Sequence, residues 1–337
     1  MDAVERVLLN TVQTAFPVTS HPYQTLGELA GVSEEEAWQR VSQLRQEGII
    51  RRLGGVFDSH RLGYHSTLCA AKVPKEKVSV LAEVLMKIPG VTHNYLRDHS
   101  YNMWFTLISS SEAEAEKILN KVRQVLGSEE VYSLPAIRLF KISVDFDFME
   151  NAENDSDNGP SPMRPPGAWE KDGRPEPTQL SDQDKALIRV LQGNLPFSRT
   201  PFSELAQELG WAEEEVLART VDLLTKGLIR RFGAVLRHQR AGFTANAMGV
   251  WQVPEEKAQE IGEKMATFRE VSHCYQRPSL PDWPYNLFTM IHGRTAEECQ
   301  KVMQRISKAT GLEEYRMLFS QAELKKSSMQ YFVEESD

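Results

Sequence analysis

The chain has 337 residues, of which 41% are hydrophobic and 26% charged, and a formal net charge of −8 at pH 7. This length predicts at least two domains with cores of their own, and the acidic balance gives no support for nucleic acid as a partner. No apolar run is long enough to span a bilayer and the N-terminus lacks the features of a signal peptide, so a cytoplasmic, soluble protein is expected. The three cysteines are widely spaced and odd in number, which argues against a disulfide framework or a cysteine-bound metal.

Residues 1–60 are predicted to form three short helices and an extended segment. Apolar residues from Val4 to Val12 recur at helical spacing. Ser33 and Glu36 form a capping-box pattern that opens the third helix, and Gly48 closes it. Helices joined by a glycine turn and followed by an extended Arg-Arg segment predict a winged helix-turn-helix domain.

Residues 61–150 alternate between strand and helix patterns. Strands are predicted near Ser66–Val73, Thr92–Arg97, Tyr101–Ser109 and Ile137–Phe146, with helices over Lys75–Ile88 and from Ser111 onward. The order β-α-β-β-α-β is that of a ferredoxin-like domain.

The second part of the chain repeats the first. Gly48–Phe57 (GIIRRLGGVF) matches Gly227–Leu236 (GLIRRFGAVL). The predicted second repeat is therefore a winged helix-turn-helix at 179–239 followed by a ferredoxin-like domain at 240–337. Residues 151–178, rich in Asp, Asn, Ser, Pro and Gly, are predicted to be a flexible linker. The fold class expected is α+β, with two repeats that pair as an intramolecular pseudo-dimer; whether such chains form a larger homo-oligomer stays open.

The helix-turn-helix pattern invites a DNA-binding interpretation, but its charges argue against one. The helices that would read the bases begin with three glutamates each, Glu34–Glu36 and Glu213–Glu215. DNA affinity comes mainly from Lys and Arg that neutralise phosphates. DNA is therefore an unlikely partner, and the motif is interpreted as a scaffold.

Each repeat carries a His-Tyr-Arg set at alternate positions of a predicted strand. These are His93, Tyr95 and Arg97 (the first triad) and His273, Tyr275 and Arg277 (the second triad). Alternate side chains of a strand share a face. An imidazole, a phenol and a guanidinium on one face suit a large, flat, anionic ligand. The neighbouring strand is expected to bring Tyr101 beside His93 and Tyr285 beside His273.

A winged helix-turn-helix followed by a ferredoxin-like domain resembles the Lrp/AsnC family of transcription regulators. Within that group the detail is similar to the siroheme decarboxylases, two-subunit enzymes of the alternative heme pathway. The strings that carry the resemblance are GVTHNYLRDHSYNMWFTLI at Gly90–Ile108, VSHCYQRP at Val271–Pro278 and DWPYNLFTMIHG at Asp282–Gly293. The first repeat resembles one subunit and the second repeat the other, which suggests a gene fusion. Decarboxylases that feed heme d1 synthesis share these motifs.

The resemblance implies that two acetate side chains of siroheme lose carbon dioxide and become methyl groups, giving 12,18-didecarboxysiroheme. It implies a carboxy-lyase that binds siroheme and uses no cofactor beyond the iron of that substrate. Histidine is the usual proton donor near neutral pH, and arginine binds carboxylates with two parallel hydrogen bonds. The catalytic candidates are His273, His93, Arg277 and Tyr275. The substrate-binding candidates are Arg97, His99, Tyr95, Tyr101, Trp104, Arg51, Arg52, Arg230, Arg231, His238, Trp283 and Tyr285, and no resident metal site is predicted.

Several residues have plainer interpretations. The two Arg-Arg pairs also suit carbonyl capping at the end of a helix. Phe105 and Phe288 are expected in the core, His292 is expected to be structural, and Cys274 should face away from His273. His21, His60 and His65 are expected at loops or edges.

Two other functions stay open from the sequence. One is a ligand-sensing transcription regulator of the Lrp/AsnC type, and the other is a siroheme carrier without catalysis. The loops after Arg97 and Arg277 differ in length, so two non-equivalent pockets are expected.

Overall fold

The structure is a computed structural model that describes residues 2–142, 173–237, 245–280 and 282–333. His238, most of the predicted linker and the end of the strand predicted to reach Phe146 lie outside these ranges. No helix in the described part of the chain is long and apolar enough to cross a membrane.

The first repeat follows the predicted order of helices and strands. Its helices are α1 (Ala3–Thr14), α2 (Pro22–Ala30), α3 (Glu34–Gln46), α4 (Val78–Lys87) and α5 (Glu112–Leu126). Its strands are β1 (Ile50–Phe57), β2 (His65–Ala71), β3 (Val91–Arg97), β4 (Met103–Ser109), β5 (Val131–Pro135) and β6 (Arg138–Ile142). Ser33 caps α3 by accepting a hydrogen bond from the Glu36 amide at 3.2 Å.

The second repeat has the same order. Its helices are α6 (Asp182–Leu191), α7 (Pro201–Leu209), α8 (Glu213–Thr225), α9 (Ala258–Ala266) and α10 (Ala296–Thr310). Its strands are β7 (Ile229–Leu236), β8 (Ala245–Trp251), β9 (Val271–Gln276), β10 (Leu287–Gly293) and β11 (Tyr315–Lys326). The α+β class and the two repeats predicted from the sequence are confirmed.

The helical parts of the two repeats share one hydrophobic core. Leu8 of α1 and Leu187 of α6 are both fully buried in it. β1 and β7 pair antiparallel across the repeats as a two-stranded ribbon, with Gly54 opposite Gly233. A Cβ at Gly233 would lie 2.4 Å from the Val12 carbonyl oxygen, so this close approach requires glycine. The ribbon therefore ties the two repeats together.

The helix α3, which would read DNA in a regulator, is covered by the second repeat. Arg199 forms an ion pair with Glu35, and Phe197 packs on Trp38 with ring centroids 6.3 Å apart. Arg45 donates a hydrogen bond to the Leu195 carbonyl at 2.9 Å. These contacts occupy part of the surface that a major groove would need.

In the described part of the chain, nine strands form one sheet in the order β5-β2-β4-β3-β11-β8-β10-β9-β6. β5 and β6 stand at opposite ends of this order, yet only Ala136 and Ile137 separate them in the chain. The sheet must therefore curl round until its two ends meet.

The last strand of each repeat is shared between the repeats. β11 pairs with β8 through Phe319 and with β3 from Ser320 onward. In the first repeat the equivalent segment is broken: β5 pairs with β2, and β6 pairs with β9 of the second repeat. The strand predicted near Ile137–Phe146 corresponds to β6. The sequence analysis missed β5, the part of the segment before it that pairs with β2.

Helices cover the outside of the curled sheet and aromatic side chains fill part of its inside. α4 and α5 pack on the strands of the first repeat, and α9 and α10 on those of the second. The inner cluster contains Trp104, Trp283 and Phe288, which come from both repeats. The remaining inner space, toward the ribbon, is the candidate site.

Candidate functional site

A cavity of about 710 Å³ lies between the β1–β7 ribbon and the inner face of the curled sheet. Both triads line it. The expectation of two separate pockets is therefore wrong. Because the terminal strands are exchanged between repeats, β3 and β9 belong to one sheet and present their triads to one space.

The triads have nearly the same geometry. The His93 and Tyr95 rings stack with centroids 6.3 Å apart, and those of His273 and Tyr275 with centroids 6.2 Å apart. The Arg277 guanidinium lies over the Tyr275 ring at 4.5 Å, and that of Arg97 over Tyr95 at 5.4 Å. Alternation along β3 and β9 thus brings each predicted triad together as expected.

Arg97 and Arg277 are buried cations without a carboxylate partner among the described residues. Each donates one hydrogen bond across the repeats, Arg97 to the Leu318 carbonyl at 2.6 Å and Arg277 to the Leu134 carbonyl at 2.5 Å. The Nε of each is buried and has no hydrogen-bond acceptor among the described residues. Burial lowers the pKa of each guanidinium to about 10. Since an uncompensated buried charge is unfavourable, this arrangement favours an anionic ligand.

The Arg-Arg pairs divide into two roles. Arg52 donates to the Gln192 carbonyl at 2.7 Å, and Arg231 donates to the carbonyls of Gln13 and Ala234. These two side chains line the cavity but hold the ribbon to helix ends, as the capping interpretation predicted. Arg51 and Arg230 also line the cavity, and their charges act on the nearby histidines.

Both triad histidines are neutral at pH 7, because the pKa of each lies well below its ordinary value. Burial, together with the charges of Lys326 and Arg51, lowers the pKa of His93 to about 4. Burial and the nearby His292 and Arg230 lower the pKa of His273 to about 3. Carboxylates entering the cavity would offset these cations and raise both pKa values.

These pKa values predict acid sensitivity of the fold. As the pH falls, these histidines take up protons near pH 6.5 in the unfolded chain, before they do so in the folded chain. Their contribution to the free energy of unfolding is therefore fully present above pH 6.5 and is lost as the pH drops toward 4. For His93, the drop from 6.5 to about 4 corresponds to about 3 kcal/mol at most. In urea titrations from pH 7.5 to 4.5, His93→Gln should lose less stability than the unchanged chain. The exposed His21→Gln is the control, and equal slopes for all three proteins would contradict the assignment.

Four of the predicted binding residues lie outside the cavity lining. They are His99, Tyr101, Trp283 and Tyr285. The Trp283 ring packs against His99 at 5.1 Å and Tyr101 at 5.5 Å, while the Tyr101 hydroxyl donates to Asp282 at 2.5 Å. The loop that carries Trp283 thus contributes to the inner aromatic cluster. Tyr101 and Tyr285 also precede their strands, so His93 pairs with Thr106 and His273 with Met290 instead.

Trp104 lines the cavity as predicted, and Phe288, which was expected only in the core, lines it too. Cys274 faces the opposite side of β9, where its buried thiol approaches the Gly262 carbonyl at 3.6 Å. That placement agrees with the structural role expected for it.

Several lining residues were missed by the sequence analysis. His292 faces the cavity beside His273, because Phe288, Met290 and His292 alternate along β10. That alternation was a usable signal. His60 follows β1, and burial lowers its pKa to about 4. Its sequence surroundings gave no sign of the cavity.

The C-terminal segment Ser327–Tyr331 also borders the cavity. The Tyr331 hydroxyl lies 2.7 Å from that of Ser59, and the Tyr331 backbone exchanges two hydrogen bonds with the Gln192 side chain. This segment joins the sheet to the helical core. Within the described ranges, no group of three His, Cys, Asp or Glu side chains is arranged to hold a metal ion.

The fold and site together define a class: a two-repeat AsnC-like protein with an internal cavity lined by two buried arginines. Family models agree. An AsnC-like ligand binding domain matches residues 61–141 and 240–325, and a siroheme decarboxylase NirDL-like HTH domain matches residues 5–51 and 184–230.

Known proteins extend the agreement over nearly the whole chain. Siroheme decarboxylase of Hydrogenobacter thermophilus is 36% identical over 97% of this chain and 95% of that protein. The siroheme decarboxylase NirDL in complex with an iron-uroporphyrin III analogue has 32% identity and a TM-score of 0.72, covering 98% of this chain and 95% of that one. The siroheme decarboxylase beta subunit of Methanosarcina barkeri is 49% identical over 44% of this chain and 99% of its own length.

This chain belongs to the siroheme decarboxylase family, a family of carboxy-lyases and not of transcription regulators. The Methanosarcina barkeri beta subunit is a separate chain, and it matches less than half of the present one. This agrees with an intramolecular pseudo-dimer, in which one chain contains the equivalents of two subunits.

Proposed function

We propose that this chain binds siroheme in the cavity and removes carbon dioxide from its 12- and 18-acetate side chains, giving 12,18-didecarboxysiroheme. The observation that carries the proposal is the pair of buried guanidiniums, Arg97 and Arg277. They have no carboxylate partner among the described residues and lie beside two half-buried histidines. Siroheme carries eight carboxylates on a flat macrocycle. It would supply the missing negative charge.

The cavity suits such a ligand in size and lining. Its volume of about 710 Å³ is in the range of about 300–1,000 Å³ that is usual for small-molecule sites. Trp104 and Phe288 offer flat apolar surface, and Arg51 and Arg230 add positive charge at the ribbon side. A macrocycle with charged side chains needs both kinds of wall.

The reaction breaks the bond between the acetate CH₂ carbon and its carboxylate. The electron pair stays on that carbon, delocalised into the macrocycle, and carbon dioxide leaves. One proton then completes the methyl group, so the balance needs neither oxidant nor reductant. We assign proton delivery to His93 and His273, whose imidazoles become protonated when substrate carboxylates raise their pKa.

Each triad is assigned to one acetate. In siroheme the 12- and 18-acetates are related by a local two-fold axis through the meso carbon between their rings. The two triads are related by the pseudo-two-fold axis of the repeats. One bound molecule could thus offer one acetate to each triad without leaving the cavity. Arg97 and Arg277 would orient the reacting acetates, and Tyr275 would contact the acetate that lies at the second triad.

We propose that the reaction uses no cofactor beyond the iron of the substrate. We also propose that the product enters heme or heme d1 synthesis. A siroheme carrier would use the same arginines but would have no need for two histidines in the cavity. Loss of carbon dioxide from bound siroheme distinguishes the decarboxylase from the carrier.

The test is anaerobic incubation of the purified chain with siroheme, followed by mass spectrometry. The expected result is a product that has lost two carbon dioxide units. Binding without loss of mass would favour the carrier, and absence of binding would overturn the proposal.

A further inference from the structure

The two triads face different walls, although their own residues are the same. The wall beside each triad is the exchanged end of a terminal strand. At equivalent positions β6 offers Leu139 and Ile142, whereas β11 offers Glu323 and Lys326. The two triads therefore have the same three residue types but different neighbouring residues.

The wall of the second triad is apolar. Leu139 lies opposite Tyr275 and Ile142 opposite His273 in the strand pairing, and both aliphatic side chains line the cavity. They form a small hydrophobic cluster with Ala136 and Tyr275. The Tyr275 hydroxyl has no hydrogen-bond partner among the described residues, so it is available to a ligand.

The wall of the first triad is charged. Glu323 lies opposite Tyr95 and Lys326 opposite His93. The Tyr95 hydroxyl donates to Glu323 at 3.3 Å, and Lys326 lies 3.6 Å from the same carboxylate. The phenol of this triad is thus already engaged, and Lys326 places a cation in the cavity lining.

These walls affect decarboxylation in opposite directions. A carboxylate loses its localised charge as carbon dioxide forms, so an apolar wall destabilises the starting state more than the transition state. An ammonium group that pairs with the carboxylate stabilises the starting state and loses that interaction when the bond breaks. Glu323 itself lies outside the cavity lining, where it accepts the Tyr95 hydroxyl and holds Lys326 beside the triad.

We propose that the two triads act at unequal rates, and that the second triad, against Leu139 and Ile142, removes its carbon dioxide first. This order rests on the proposed function. Glu323 and Lys326 make the first triad the slower centre, and a monodecarboxylated intermediate of one regiochemistry accumulates between the two steps.

The test exchanges one wall for the other. In Glu323→Leu/Lys326→Ile the first triad receives the residues that the second triad has at the same positions. A rapid-quench time course with siroheme under anaerobic conditions, read by mass spectrometry, gives both rate constants, and NMR of the intermediate gives its regiochemistry. The second step should become about tenfold faster and the intermediate should nearly disappear.

Two further variants keep the test decisive. Lys326→Met removes the ammonium, keeps an unbranched side chain, and should accelerate the second step in the same direction. Glu313→Gln changes an exposed glutamate before β11 and should alter neither step.

The outcomes separate this inference from the proposed function. Absence of any mass loss in the unchanged chain would refute the decarboxylase itself. Loss of two carbon dioxide units through equal amounts of both monodecarboxylated isomers would overturn only the order. The same holds if neither variant at Lys326 changes the ratio of the two rate constants.

Discussion

Replacing His93 by glutamine is expected to stop the reaction after one carbon dioxide has been lost. The His273→Gln variant should also lose one, but from the other acetate. Glutamine keeps polar atoms in the cavity but cannot deliver a proton as imidazolium does, so the affected step should slow by about 10²–10⁴-fold. Mass spectrometry measures the number of groups lost, and NMR identifies which acetate remains.

The double variant should bind siroheme and release no carbon dioxide. Binding is followed by the change in the siroheme absorption spectrum, and His21→Gln, an exposed histidine outside the cavity, is the control. If either single variant loses both groups at the normal rate, one histidine does not serve one acetate. The assignment of the triads would then be abandoned.

The Trp283→Ala variant is expected to lose about 3–5 kcal/mol of stability, the usual cost of deleting a buried tryptophan. The Trp283 side chain is only 1% exposed and packs between residues of both repeats. Its Nε1 is buried without an acceptor among the described residues, so Trp283→Phe loses no hydrogen bond and should cost less. Urea denaturation followed by circular dichroism measures both variants.

The same variants test whether Trp283 belongs to the core or to the ligand site. With a core role, the folded fraction of Trp283→Phe should keep a normal KM for siroheme. If Trp283→Phe has normal stability but a raised KM for siroheme, Trp283 contacts the ligand.

The sequence predicted local features of the site well, because the strand period of two places His93, Tyr95 and Arg97 on one face. It could not predict that the second triad shares their cavity. That result depends on strand exchange between β6 and β9 and between β11 and β3, pairings between residues far apart in the chain.

The position of the loop around Trp283 could not be predicted from its composition. Its aromatic and proline residues have the composition of a binding loop, but the same composition suits a buried plug. The outcome is decided by Lys72, which bonds to Asp282 at 2.6 Å, and by the Tyr101 hydroxyl. Neither contact has a sequence signal, since each joins residues about two hundred positions apart.

The division of the Arg-Arg pairs was equally beyond local inference. Arg51 and Arg52 are adjacent in β1 and both line the cavity, but their partners differ. Which of them meets a helix end depends on where α6 of the other repeat lies. Arg52 reaches Gln192, and Arg51 remains beside His93.

The exchanged strands also change how the site responds to dilution. When the two halves are separate subunits, a shared cavity exists only while they are associated, and it is lost at low protein concentration. Here the second half is covalently attached, so its effective concentration near the first is fixed by the connecting chain. The exchange of β6 and β11 then becomes an intramolecular folding step. The catalytic cavity of this chain should therefore persist at any protein concentration at which the chain stays folded.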